Sequence, residues 1–199
     1  MRQVASVNVE RQVSNALAFL QTGNVPALYR LTGHSEYSLA QLNLKQAVED
    51  ANYQVRSLSL LSSSGVPEDA DMVVLMGPQS DLSGAETEKL KSYLDGGGSL
   101  FVMAGFAAGE LDNLNNLLVA YGVRYRRGII IEENDNYHTG NAVQLVPDLS
   151  NHEMLKPLVE GRLPVMLPVS QPVEILEARR GDLDVRPLFA TSHEAFLRT

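Results

Sequence analysis

VPEDADMVVLMGPQSDLSGAETEKLKSYLDGGGSLFVMAGF, residues 66–106, is the stretch on which the fold turns. Met72-Val73-Val74-Leu75-Met76 is an unbroken apolar run stopped by Gly77-Pro78. A short apolar run between breakers predicts a strand buried on both faces. Ser83-Gly84-Ala85-Glu86 has the spacing of a capping box, which predicts the start of a helix. Leu90 and Leu94 continue that helix at i, i+4 spacing, and Gly96-Gly97-Gly98 stops it. Residues 99–103 then predict a second buried strand. Two successive strands joined through a helix predict a parallel crossover and place the chain in the α/β class.

Reading outward, Val9, Val13, Ala16, Leu17 and Leu20 recur at helical spacing before Gly23-Asn24. They predict an N-terminal helix, within residues 1–25, that packs on the domain. Residues 27–31 predict a strand between Pro26 and Thr32-Gly33. Leu39, Leu42, Leu44, Ala47, Val48 and Ala51 predict a helix, and residues 53–60 a second strand. Residues 111–121 predict another helix, with Leu111, Leu114, Leu117 and Leu118 on its apolar face and Gly122 at its end. From 26 to 122 strands and helices therefore alternate. That order predicts a doubly wound, mostly parallel sheet with helices on both faces. Beyond Gly122 the texture changes. Short strands are predicted at 123–125, 128–132 and 142–146, among Pro147, Pro157, Pro164, Pro168, Pro172 and Pro187. Proline removes ladder donors, so this part reads as edge strands, turns and irregular covering. The reading is a single α/β domain over 26–199, regular over 26–122 and less regular over 123–199.

Composition bounds the function. At 199 residues, 44% hydrophobic and 20% charged, this is an ordinary globular chain of one domain or slightly more. A formal net charge of -8 argues against a nucleic-acid partner, which selects a basic face. Arg124, Arg126 and Arg127 cluster, as do Arg179 and Arg180, and the alternation of Arg124 and Arg126 fits a solvated strand face. With no cysteine, disulfides, thiolate zinc sites and cysteine nucleophiles are excluded. No apolar run approaches the ~20 residues of a membrane-crossing helix, and no signal peptide is visible. The bare ends Met1-Arg2-Gln3 and Leu197-Arg198-Thr199 read as those of a fragment of a longer protein.

In open α/β sheets, ligands bind beyond the carboxyl ends of the strands. Three loops fall there. In Thr32-Gly33-His34-Ser35-Glu36, glycine permits a tight turn, histidine is the residue type suited to acid–base work near neutral pH, and Glu36 is placed to orient His34. The plainer reading is a strand-to-helix turn with a capping side chain. The second loop, residues 77–83, offers Gly77, Gln79 and Ser80 ahead of a helix N-terminus whose N–H groups suit an anion. It lacks the lysine and glycine spacing of a P-loop and has no GxGxxG. The plainer reading here is that Ser83 caps the helix. The third, residues 104–109 around Gly105, occupies the place of a nucleophile elbow but holds neither serine nor cysteine, so acyl transfer of that type has no nucleophile. The candidate ligand-binding set is therefore Thr32, Gly33, His34, Glu36, Gly77, Gln79, Ser80 and Gly105. No catalytic residue, metal ligand or cofactor is assigned. Glu132-Glu133-Asn134-Asp135-Asn136 is rich in oxygen but lacks EF-hand spacing and reads as a solvated turn. His34, His138, His152 and His193 form no i, i+4 pair that would favour a metal. Asn151-His152-Glu153 reads as a helix N-cap.

Several stretches together resemble one family: Glu10-Arg11 with Asn15-Ala16, LYRLTGHSE at 28–36, the block at 66–103, LNNLLVAYGVRYRRGIIIE at 114–132, and Asn151-His152. It is the GldG-type, gliding-motility-associated auxiliary component of uncharacterised ABC transport systems. The most specific signals are T-G-H-x-E, P-x-D-A-D…G-P…D-L-S and L-x-x-L-L-x-x-Y-G. The resemblance implies a flavodoxin-like or class I glutamine-amidotransferase-like fold. It implies a place on the extracytoplasmic face of the cell membrane, anchored by flanking transmembrane helices, with an ABC permease and ATPase as partners. It implies no established enzymatic activity, and a homo-oligomer is compatible with it. The leading expectation is a non-catalytic module that binds a partner protein or the transported substrate. The alternative is a domain that binds or hydrolyses a small molecule, carbohydrate included by fold analogy, with the loops around His34 and Gly77.

Overall fold

Residues 25–107, 109–177, 181 and 183–199 are described by the computed structural model. The helix predicted around Val9 and Leu20, and the Arg179-Arg180 pair, lie outside the described residues. Two units, Met1–Leu114 and Asn115–Thr199, divide the chain.

In the first unit the described elements are β1 (Ala27–Leu31), α1 (Lys45–Asp50), β2 (Gln54–Leu58), β3 (Met72–Met76), α2 (Gly84–Asp95) and β4 (Leu100–Met103). Helix α3 (Asp112–Ala120) follows. The strands form one sheet in the order β2-β1-β3-β4, parallel throughout. β3 sits inside the sheet, and residues 73–76 are buried on both of its faces. This is what its uninterrupted apolar sequence predicts. Val74 and Met76 project to one side with Leu28, where they meet Leu39 and are flanked by Leu42, Val48, Tyr53, Met72 and Met103. Each fully buried side chain of this size contributes roughly 1.5–3 kcal/mol. The crossovers leave β1 and β3 in opposite directions, one outward to β2 and the other to β4. Right-handed connections then send their helices to opposite faces.

α2 begins as predicted. The Ser83 hydroxyl accepts from the Glu86 N–H at 3.3 Å, and the Glu86 carboxylate accepts from the Ser83 N–H at 2.9 Å. The helix ends at Gly96, ahead of Gly97 with φ +91°. α1 is shorter than its apolar spacing predicts. Residues 39–43 form turns, and Asn43 adopts φ +56°, a left-handed conformation that a right-handed helix does not pass through. Leu39 and Leu42 reach the core from those turns rather than from a helix.

The second unit holds β5 (Val123–Tyr125), β6 (Ile129–Ile131), β7 (Gln144–Leu145), β8 (Asp148–Leu149), β9 (Leu167–Pro168), β10 (Val173–Ile175), β11 (Phe189–Ala190) and β12 (Phe196–Arg198). Its helical parts are a 3-10 turn (Glu153–Leu155) and α4 (Lys156–Glu160). The strands pair as separate two-stranded antiparallel ladders, β5–β10, β6–β12, β7–β9 and β8–β11. The strand after β4 and α3 therefore enters a ladder of its own, not a fifth place in the parallel sheet. The molecule is a mixed α/β protein with one parallel sheet and several small antiparallel ones. Among the described residues no helix is long and apolar enough to cross a membrane.

Candidate functional site

The strand order reverses between β1 and β3, and their carboxyl ends open into the loops at 32–36 and 77–83. Backbone bonds tie these loops together. Gln79 N–H donates to the His34 carbonyl at 2.8 Å, and Tyr37 N–H donates to the Met76 carbonyl at 2.8 Å. Thr32 is held toward β2, donating from its N–H and its hydroxyl to the Leu58 carbonyl.

His34 is 5% exposed. Its Nδ1 lies 3.2 Å from Glu36 Oε1, and its Nε2 lies 3.2 Å from Glu86 Oε2. Glu36 Oε2 accepts from the N–H groups of Gly33 and His34, at 3.1 and 2.9 Å, so the turn wraps its own carboxylate. Gly33, at φ +130°, allows that wrap. Glu86 Oε2 also accepts from the Ser83 hydroxyl at 2.8 Å. Burial pushes the Glu86 carboxyl up, but the Ser83 bonds and the nearby His34 ring outweigh it and leave its pKa below the ordinary value. Each ring nitrogen of His34 thus faces a carboxylate oxygen. The result is a buried carboxylate–imidazole–carboxylate bridge from the β1 turn to the first turn of α2. Its ring nitrogens are spent inside the fold.

The aromatic ring of Tyr37 covers the other half of the edge. Gly77 has φ +59°, and a Cβ there would sit 2.5 Å from the Tyr37 ring. A Cβ on Gly105 would lie 3.6 Å from the Gly77 Cα. Gly77 N–H donates to the Met103 carbonyl at 2.6 Å, and Gln79 Nε2 turns back to the Gly77 carbonyl at 2.9 Å. Of the predicted set, the structure thus brings Gly33, His34, Glu36, Gly77, Gln79 and Gly105 together. Thr32 is turned to β2, and Ser80 is exposed and outside these bonds. Glu86 was not foreseen as the second partner of His34, since its capping-box spacing marked it only as part of a helix start. Tyr37, for which the sequence holds no signal, and Asp81 were not foreseen either. The Asp81 carboxylate caps α3 from a distance, accepting from Asn113 N–H at 2.7 Å and Leu114 N–H at 3.1 Å.

Elsewhere in the first unit, a cleft of about 630 Å³ lies at the amino edge of the sheet, between the 64–70 loop and α2, with Glu68, Glu88 and Tyr93 in its wall. In the second unit, Glu132 is fully buried, and its carboxylate accepts from the Ser192 hydroxyl at 2.6 Å and N–H at 3.0 Å. Burial raises the Glu132 pKa, but the Ser192 and Asn134 bonds and the charge of His138 bring it below the ordinary range. Asn134 Oδ1 accepts from Asn136 N–H, which closes the predicted turn. His152 Nδ1 accepts from Met154 N–H at the start of the 3-10 turn. Arg124 and Arg126 flank Glu174 Oε2 at 3.7 and 3.6 Å while staying about half exposed. Among the described residues no group of three or more potential metal ligands gathers.

A family model described as ABC-type uncharacterized transport system matches residues 25–199. The human protein "Intraflagellar transport protein 52 homolog" is 33% identical over 84 residues, 41% of this chain. The match spans only 19% of that relative's length. Among solved structures, the mmIFT52 N-terminal domain superposes with a TM-score of 0.62 at 19% identity, over 85% of this chain and 75% of that one. At that identity the likeness is one of fold.

Proposed function

The chain belongs to the family described as ABC-type uncharacterized transport system, and we propose that within such a system it is a non-catalytic auxiliary module that binds a partner protein. Membership makes it an auxiliary component associated with transporter parts. The observation that carries the rest is the closed carboxyl edge. Parallel sheets hold ligands at the point where strand order reverses, and here the chain's own His34, Glu36, Glu86 and Tyr37 occupy that point. A histidine with a carboxylate on each nitrogen has no free nitrogen with which to take a proton from a substrate. The partners proposed are the ABC permease and ATPase, and the place proposed is the extracytoplasmic face of the membrane. The T-G-H-x-E turn at 32–36 supports the narrower GldG-type, gliding-associated assignment, and the β2-β1-β3-β4 order supports a flavodoxin-like ancestry for the first unit. Affinity capture of the full-length protein from its own membranes tests the reading. Co-recovery of an ABC permease and ATPase is expected, and their repeated absence would refute it.

A further inference from the structure

β4 is an edge strand whose own sequence carries neither a charge nor a proline. Its ladder bonds fix which way each backbone group points. Val73 N–H donates to the Ser99 carbonyl, and Gly77 N–H donates to the Met103 carbonyl. In a parallel ladder that parity turns positions 99, 101 and 103 toward β3 and leaves the N–H and C=O of Leu100 and Val102 facing outward. No strand among the described residues pairs with that side. Natural edges are guarded by charge, proline or bulges. The opposite edge, β2, follows the rule with Gln54, Arg56 and Ser57. β4 reads Leu-Phe-Val-Met, without a charge or a proline, and Phe101 is 48% exposed on it.

We propose that β4 is the seam of a homodimer in which two copies pair antiparallel about a two-fold axis through Phe101, merging two parallel sheets into one. The occupant is a second copy because the strand is complementary to itself. With Phe101 opposite its mate, Leu100 pairs with the second copy's Val102 and Val102 with its Leu100. Each such pair exchanges both N–H···O bonds, so every outward group is used. The two phenylalanines then form the non-hydrogen-bonded pair, where opposed side chains lie closest. An uncharged seam also lets two chains of net charge -8 meet without adding repulsion at the contact.

Sedimentation equilibrium on the full chain tests this. The wild type is expected at twice 21.8 kDa at high concentration. Val102→Pro removes an N–H that β3 does not use, and Phe101→Lys adds a guard without touching the backbone. Each is expected to return the mass to 21.8 kDa with an unchanged far-UV circular dichroism spectrum. The chain has no cysteine, so Phe101→Cys supplies one thiol. The pair would stand with Cα atoms about 4.5 Å apart, within disulfide reach. Oxidation is expected to give a covalent dimer, while Glu88→Cys under the same conditions stays monomeric. A wild type that remains at 21.8 kDa, a dimer that survives both Val102→Pro and Phe101→Lys, or equal cross-linking at positions 88 and 101 would overturn the proposal.

Discussion

His34 joins parts of the chain more than fifty residues apart, because a ring with two nitrogens can bond on both sides. Glu36 was legible as one partner from its place in the same turn. Glu86 was not, since a capping box accounts for its carboxylate without invoking a neighbour across the fold. The bridge has a measurable signature in acid. The folded pKa of Glu86 lies below its ordinary 4.5, so the unfolded chain takes up that proton first. Its contribution to stability is present above pH 4.5 and is lost as pH falls through the folded value. Chemical denaturation of the wild type and of Glu86→Gln over a pH series is expected to show a steeper loss of stability in the wild type below pH ~5. Equal slopes would mean that the Glu86 carboxylate is not held charged in the fold.

At the scale of elements, β3 and the start of α2 were readable almost residue by residue, whereas residues 99–103, expected as a second buried strand, form an edge strand with Phe101 48% exposed. A buried central strand has to be apolar throughout, and a helix start has to supply acceptors for its free N–H groups. α1 was read too long because Leu39 and Leu42 mimic helical spacing from turns, and only the left-handed Asn43 separates the two cases. The loop after β3 was readable as tight, but not as roofed by Tyr37. Gly77→Ala tests that roof. A left-handed alanine costs about 1–2 kcal/mol by itself, and its Cβ would stand 2.5 Å from the Tyr37 ring. The double variant with Tyr37→Ala is expected to lose less stability than the sum of the single variants, by roughly 0.5 kcal/mol or more. Strict additivity would place the ring elsewhere in solution.

For the whole molecule, the class was legible and the partition of strands was not. Alternating strands and helices require a parallel sheet, which the first unit has. Beyond Gly122, strands of two or three residues carry too little periodicity to disclose their partners. Pro168, in β9, shows the problem, since its missing N–H leaves the side of the ladder undefined by sequence. Buried anchors do that work instead, as where Glu132 holds Ser192 sixty residues away.

The central claim is that the carboxyl edge of the parallel sheet is closed by the chain's own groups. Diethylpyrocarbonate modification of the folded protein, mapped by mass spectrometry, addresses it directly, because the reagent needs an accessible imidazole nitrogen. His193 has a side chain that is 90% exposed, against 7% for His34. Rapid modification of His193 with His34 spared until the protein unfolds is the predicted result. Modification of both at similar rates in the folded state would contradict the claim.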